Sequence, residues 1–310
     1  VCSSDLGPVI FVQLRQGCRR EAAQFAAGFA DEAFQEVVGQ QGNVVAPRPQ
    51  RRHADFHDLQ AEEQVAAERA GRDVGFEVAS KGFGLLFKHA LGAVAITTPG
   101  GGTNTRDHTC TIGDDYGLGL TMQVGRPDVS GTVQPFSYLG CKITEFELSN
   151  EVDGLLMFKP TIDAMDETTS QSLASASYPT GQELLHYGGG LITLAGSSFD
   201  VKSISLKVSK GLDTERYFIR NSTVKKEAIP ADLVMVEGEM EAEFESLTAY
   251  NRFVNGTTAS LVALWEGSTI ETTFKYGVQV TLPVVRFDGD TPVVGGPEVL
   301  AQPLKFKALY

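Results

Sequence analysis

The residues best placed to do chemistry in this chain are carboxylates. From 237 to 245 every odd position is a glutamate: Glu237, Glu239, Glu241, Glu243 and Glu245. Met240, Ala242 and Phe244 take alternate positions between them. Successive side chains of a strand point to opposite faces, so this spacing lines the carboxylates along one face. A catalytic acid–base pair needs two carboxyls in unlike environments, which separate their pKa values. A regular row of equivalent glutamates is not that arrangement. It can be the solvated side of a half-buried strand. It can also line a water-filled passage, where dense negative charge keeps a polyanion from sticking.

The other candidates are weaker. His53 and His57 are four apart and would share a helix face, but no Glu follows His53 and no third ligand is in sight. Asp288 and Asp290 flank Gly289 and offer too few oxygens for a calcium site, so they read as a polar turn. Asn221-Ser222-Thr223 is a glycosylation triplet without a secretory context. Cys2, Cys18, Cys110 and Cys141 form no CxxC pair and read as free thiols in a reducing compartment. There is no GxSxG, and the glycine-rich stretch 97–107 (TTPGGGTNTRD) lacks the GK[ST] of a phosphate loop. The sequence therefore predicts no catalytic residues, no metal and no cofactor.

A net charge of −13 argues against a dedicated nucleic-acid-binding surface, which is normally basic. The hydrophobic fraction of 42% is enough for a sizeable core. No apolar run approaches the ~20 residues of a membrane span, and no signal peptide is evident. Composition changes sharply near residue 80. The first 80 residues hold eight arginines and no lysine, whereas the remainder holds 12 lysines and six arginines. The opening VCSSDLG reads as a translated adapter scar. Residues 1–75 are accordingly expected to be a non-cognate, disordered or loosely helical extension, and 76–310 the folded part.

Several elements must position these groups. Residues 80–92 have apolar side chains at i, i+3, i+4, i+7 and i+8, which predicts a helix capped by Ser80 and ended by Gly92. Phe83, Leu86, Phe87 and Leu91, with Ala90, should pack that helix on a sheet. Strands are predicted near 108–113, 118–124, 135–148 and 154–163. More follow near 190–195, 199–209, 214–221, 233–246, 259–265, 270–285 and 303–308. A second helix over 246–254 should turn Leu247, Tyr250, Phe253 and Val254 inward. The polar segment 164–181 separates two candidate halves, about 80–165 and 182–310. A hairpin pattern at 142–158 (KITEFELSNEVDGLLMF) recurs at 202–218 (KSISLKVSKGLDTERYF), an offset of 60, as either duplication or coincidence.

Taken together, GFGLLFKHALG at 82–92, YLGCKITEFEL at 138–148, VKSISLKVSKGLD at 201–213, EGEMEAEFESLTAYNRFVNGT at 237–257 and VRFDGDTPVVGGPEVLAQPLKFKAL at 285–309 resemble the tail tube (major tail) proteins of long-tailed bacteriophages. The resemblance spans about 80–310 and does not reach 1–75. It implies a mainly β fold, a tail-tube-type β-sandwich or half-barrel with one or two short flanking helices. It also implies a structural subunit rather than an enzyme. Copies would close into rings, as a hexamer or as a trimer with pseudo-six-fold symmetry if the hairpin is duplicated, and the rings would stack into a tube. Tape-measure and tail-end proteins are the implied partners, and DNA passes without specific binding. The implied site is the virion tail, assembled in the host bacterial cytoplasm, with no membrane. Glu237, Glu239, Glu241, Glu243 and Glu245 are the candidates to face the lumen. A β-sandwich binding module, carbohydrate- or adhesin-like, is the alternative. Its expected aromatic platform is missing, because Trp265, the one tryptophan, lies in the apolar run SLVALW.

Overall fold

Period-2 patterning dominates the chain, and strands dominate its fold. A computed structural model describes residues 11–17 (backbone), 75–175, 179–244, 246–288 and 301–309. The first elements in order are β1 (Phe11–Gly17), β2 (Phe76–Glu77), α1 (Gly84–Leu91), β3 (Gly92–Thr97), β4 (Thr105–Ile112), β5 (Leu120–Pro127), β6 (Val133–Glu151), β7 (Met157–Asp163) and β8 (Asp166–Thr168). They are followed by β9 (Gly190–Leu194), β10 (Ser197–Ser198), β11 (Ser203–Ser209), β12 (Leu212–Asp213), β13 (Ile229–Pro230) and β14 (Met235–Glu243). Last come α2 (Leu247–Val254), β15 (Ala259–Glu271), β16 (Phe274–Phe287) and β17 (Ala301–Ala308).

Fifteen of these strands join one sheet, whose main path runs β10-β9-β15-β16-β17-β14-β11-β6-β7-β2. The sheet curls until its inner faces meet. Leu148, Ile204 and Leu206 then face Leu261, Trp265 and Leu282 around a void of only about 10 Å³. That is the close packing expected of a protein interior. Trp265 Nε1 donates to Asn150 Oδ1 at 3.0 Å, tying β15 to β6 across this core. Among the described residues the fold is thus mainly β with two short α-helices, as expected. Strand β6 is 19 residues long and serves two neighbourhoods. Its first part pairs with β5 and β8, and its last part with β7 and β11.

Helix α1 lies over the sheet because its apolar stripe matches the helical period. Leu86, Phe87, Ala90 and Leu91 are buried and Phe83 is half-buried. The Phe87 and Phe158 ring centroids are 5.1 Å apart, within the range in which aromatic pairs attract beyond simple burial. Gly92 ends the helix at φ 102°, and a Cβ there would sit 2.5 Å from the Gly113 carbonyl oxygen. Ser80 does not cap this helix: its hydroxyl instead accepts the Glu183 N–H at 3.1 Å, because the chain is still extended there.

Other elements also differ from expectation. Residues 11–17, inside the segment that composition set apart, form β1 and pair with both β4 and β16. The first hairpin copy is the real hairpin β6–β7, but the second supplies β11 and the two-residue β12, which pairs with β13 rather than with β11. After β12 the chain runs irregularly through 214–228, so no strand forms near 214–221. Its polar run RNSTVKK has no apolar alternation to bury. Segment 164–181 does not sever the sheet, since β8 pairs with β6 and β6 pairs with β11 across the proposed halves. Leu247 and Val254 of α2 are exposed, while Tyr250 and Phe253 are half-buried.

The glycine-rich stretch before β4 is held by one carboxylate. Glu271, at the end of β15, accepts the N–H groups of Thr103 (2.8 Å) and Asn104 (2.9 Å). It also accepts the hydroxyls of Thr103 (2.8 Å) and Thr105 (2.7 Å). The Thr105 hydroxyl contributes most to holding this carboxyl down to about 2. Glu271→Gln should therefore free the loop while leaving the core intact. Amide exchange at Thr103 and Asn104 is expected to speed up about tenfold or more, with exchange in β15 unchanged, as befits local opening.

Candidate functional site

Strand β14 lies between β11 and β17, and alternation sends its side chains to two faces. Val236, Met240 and Ala242 are buried; Glu237, Glu239, Glu241 and Glu243 are exposed. Gly238 takes an inward position because the Phe306 ring lies beneath it: a Cβ there would come within 2.3 Å of Phe306 Cζ. Glu245 lies outside the described residues.

The register extends this face across neighbouring strands. Glu237 is opposite Lys207 and Lys307, Glu239 opposite Ser205 and Lys305, and Glu241 opposite Ser203 and Pro303. From β6 come Glu145, Glu147, Ser149 and Glu151. Lysines neutralise the periphery. Lys307 Nζ is 2.8 Å from Glu237, Lys202 Nζ 3.2 Å from Glu243, and Lys207 Nζ 2.6 Å from Glu145. Among the described residues no salt bridge reaches Glu239, Glu241 or Glu151. Together with Ser149, Ser203 and Ser205 they line a shallow open concavity of about 540 Å³. The surface is therefore mixed at its margins and acidic at its centre. The concavity carries hydroxyls, carboxylates and, at its edge, Lys159, whose Nζ lies 3.7 Å from Glu147 Oε1. Like charge on such a face disfavours the close approach of a polyanion.

One end of this sheet carries a buried charge cluster that no sequence motif marks. Lys142, Asp115 and Lys210 are 4%, 3% and 7% exposed. Lys142 Nζ lies 2.7 Å from Glu227 Oε1 and 3.5 Å from Asp115 Oδ1, and donates to the Asp115 and Ala228 carbonyls at 2.9 and 3.0 Å. Lys210 Nζ meets Asp115 Oδ2 at 2.5 Å and donates to the His89 carbonyl at 3.2 Å. Lys225 Nζ pairs with Asp163 Oδ1 at 2.5 Å. Burial pushes the Lys210 ammonium below its usual range, while Asp115 opposes the shift. The void beside Asp115 and Lys210 is about 30 Å³, room for a water rather than a substrate. The cluster is a tie: it fastens the 113–118 loop and the base of the 214–228 loop to β6 and α1. The available signal was a lysine between the apolar residues Cys141 and Ile143 of a strand.

His89 lies against the same cluster. Burial first, and then Lys88, hold its imidazole down to about 4. A folded-state value below the unfolded ~6.5 means the unfolded chain binds the extra proton between those two values. Stability should accordingly fall as pH drops from 6.5 towards 4. In His89→Gln that loss should flatten, as read by urea denaturation across the window.

The remaining candidates are placed as follows. His53, His57, Cys2, Cys18 and Asp290 lie outside the described residues. Asp288 pairs with Arg286 at 2.8 Å. Asn221, Ser222 and Thr223 are exposed on the irregular loop. Cys110 and Cys141 are free and buried, their thiols pushed up to about 11 and about 12. Among the described residues no group of three or more His, Cys, Asp or Glu could hold a metal, and no helix is long and apolar enough to cross a membrane.

Comparison with known families decides what such a curled, acid-faced sheet belongs to. The family model described as phage tail tube protein matches residues 39–308. The chain belongs to the phage tail tube protein family. The match starts well before residue 76, so residues 39–75 lie within the family region. No curated protein matches the chain. Tail tube proteins are structural components of the virion tail, and the family implies self-assembly and association with other tail components. The site described above is therefore a surface of an assembly subunit.

Proposed function

We propose that copies of this chain close into rings whose acidic concave faces line a channel for viral DNA, and that the rings stack into the tail tube. The acidic centre formed by Glu239, Glu241 and Glu151 carries this reading. DNA has one negative charge per ~1.7 Å of axis, so a wall of like sign lets it slide without adhering. Open strand edges supply the means of closure. Among the described strands β5 pairs only with β6, and β3 only with β4. In a monomer such edges invite aggregation; in a ring they become contacts between subunits. Six chains per ring is the default, with three as the alternative. A tape-measure protein would occupy the channel during assembly in the host cytoplasm, and tail-end proteins would cap the tube.

Electron microscopy and sedimentation of the purified full-length chain test this. Rings or tubes with an open centre are the expected result. A stable monomer that binds glycans would instead support the binding-module alternative.

A further inference from the structure

Between β12 and β13 the chain leaves the sheet as the loop 214–228. Its stretch 216–226, RYFIRNSTVKK, has four cations and no acid, in a chain of net charge −13. Its tip is apolar and unshielded: Ile219 is fully exposed, and Tyr217 and Phe218 are each 50% exposed. The loop is nonetheless held firmly. Leu212 pairs with Pro230 at its neck, Lys225 binds Asp163, and Arg216 Nη1 donates to the Glu227 carbonyl at 2.5 Å. Lys226 Nζ stands 4.8 Å from the Phe218 ring centre, within cation–π range. Three consecutive large apolar side chains on an anchored, exposed tip mark a contact surface.

The other end of the same strands has a hollow of about 220 Å³. Trp265, Ile192 and Ile204 form its floor, and the exposed side chains of Val152, Tyr187 and Leu191 its rim. Glu151 and Asp200 stand at the mouth, and Lys202 beside them is paired with Glu243. The two features are opposed because β11 joins them. It begins beside the hollow, where Ser203 pairs with Glu151, and ends where the Lys210 N–H donates to the Thr144 carbonyl, at the neck of the loop. Strand rise places them roughly 25 Å apart.

We propose that Phe218 and Ile219 of one copy enter the hollow of a second copy, head to tail, and that this contact joins successive rings. The basic loop meets the acidic mouth, and apolar tip meets apolar floor. A head-to-tail contact between opposite ends of β11 adds copies along the strand direction, and it propagates a stack where the rotation does not close a ring. The inference rests on the ring reading given above. Nucleic acid is the weaker occupant, since Arg216 and Lys225 are already engaged within the chain.

The test is a pair of cysteines in the full-length protein, Ile219→Cys with Leu191→Cys. Oxidised assemblies should give a covalent ladder extending beyond one ring, and neither single variant should. Ile219→Asp should leave rings intact and shorten tubes about tenfold or more, the loss typical of a buried anchor. Normal tube length in Ile219→Asp with no ladder in the double variant would overturn the contact while leaving the ring reading in place. So would normal stacking in Arg220→Glu accompanied by loss of duplex DNA retention. Wild-type protein that forms neither rings nor tubes would instead remove the ring reading itself, and the contact with it.

Discussion

Phage assembled with Glu239, Glu241 and Glu243 all changed to lysine should carry tubes of normal length yet deliver DNA about tenfold less efficiently or worse. The three side chains are exposed, and their strand neighbours already include lysines. Among the described residues only the exposed Lys202–Glu243 pair is lost, and such pairs contribute about 0–1 kcal/mol. Assembly should therefore survive. On the proposed channel reading the wall would lose its repulsion of DNA, since the chain's net charge would move from −13 to about −7, all of it on one face. Glu→Gln at the same positions separates loss of repulsion from gain of attraction, and should have the smaller effect. Genome delivery measured as potassium efflux and infectivity per particle provides the readout. Unchanged delivery in the lysine variant would place these residues away from the channel.

Asp115→Ala should cost about 3–5 kcal/mol, because it leaves two buried ammonium groups without their shared partner. Lys142 keeps Glu227 at 2.7 Å, but Lys210 would keep only a carbonyl. For a domain of this size the expected fall in Tm is roughly 6–20 °C. Replacing Lys210 by Met in the same chain should recover part of the loss, since the uncompensated charge is then gone. Thermal and urea denaturation followed by Trp265 fluorescence would measure both. If Asp115→Ala were neutral, the Asp115 carboxylate would not be what fastens the 113–118 loop to β6 and Lys210.

Elements with a strong local signature were legible. The 3.6-residue stripe at 83–91 is a helix with Leu86, Phe87 and Leu91 inside, and the alternation at 235–243 is a strand. Both patterns repeat with the geometry of the element, so they can be read without knowing the neighbours. The strand expected at 214–221 was misleading, because a repeat matched by a few identities says nothing about whether apolar residues have a surface to bury against. The start of the Glu face was visible as spacing, but its balance was not. Lys202 and Lys307, which neutralise its margins, are distant in sequence and become neighbours only through pairing of β14 with β11 and β17.

By itself, the sequence determined the strand-rich class, the amphipathic helix, the glutamate row and the lack of any motif for catalysis, all of which depend on residues close along the chain. The tertiary structure alone decided which strands lie side by side and so which residues share a face. It brought Asp115, Lys142, Lys210 and Glu227 into one buried cluster, and it set Glu271 against a loop more than 160 residues away. It also put the basic loop and the apolar hollow at opposite ends of β11. These are contacts closed over long stretches of chain, whose partners are chosen by the packing of a single curled sheet rather than by any local preference.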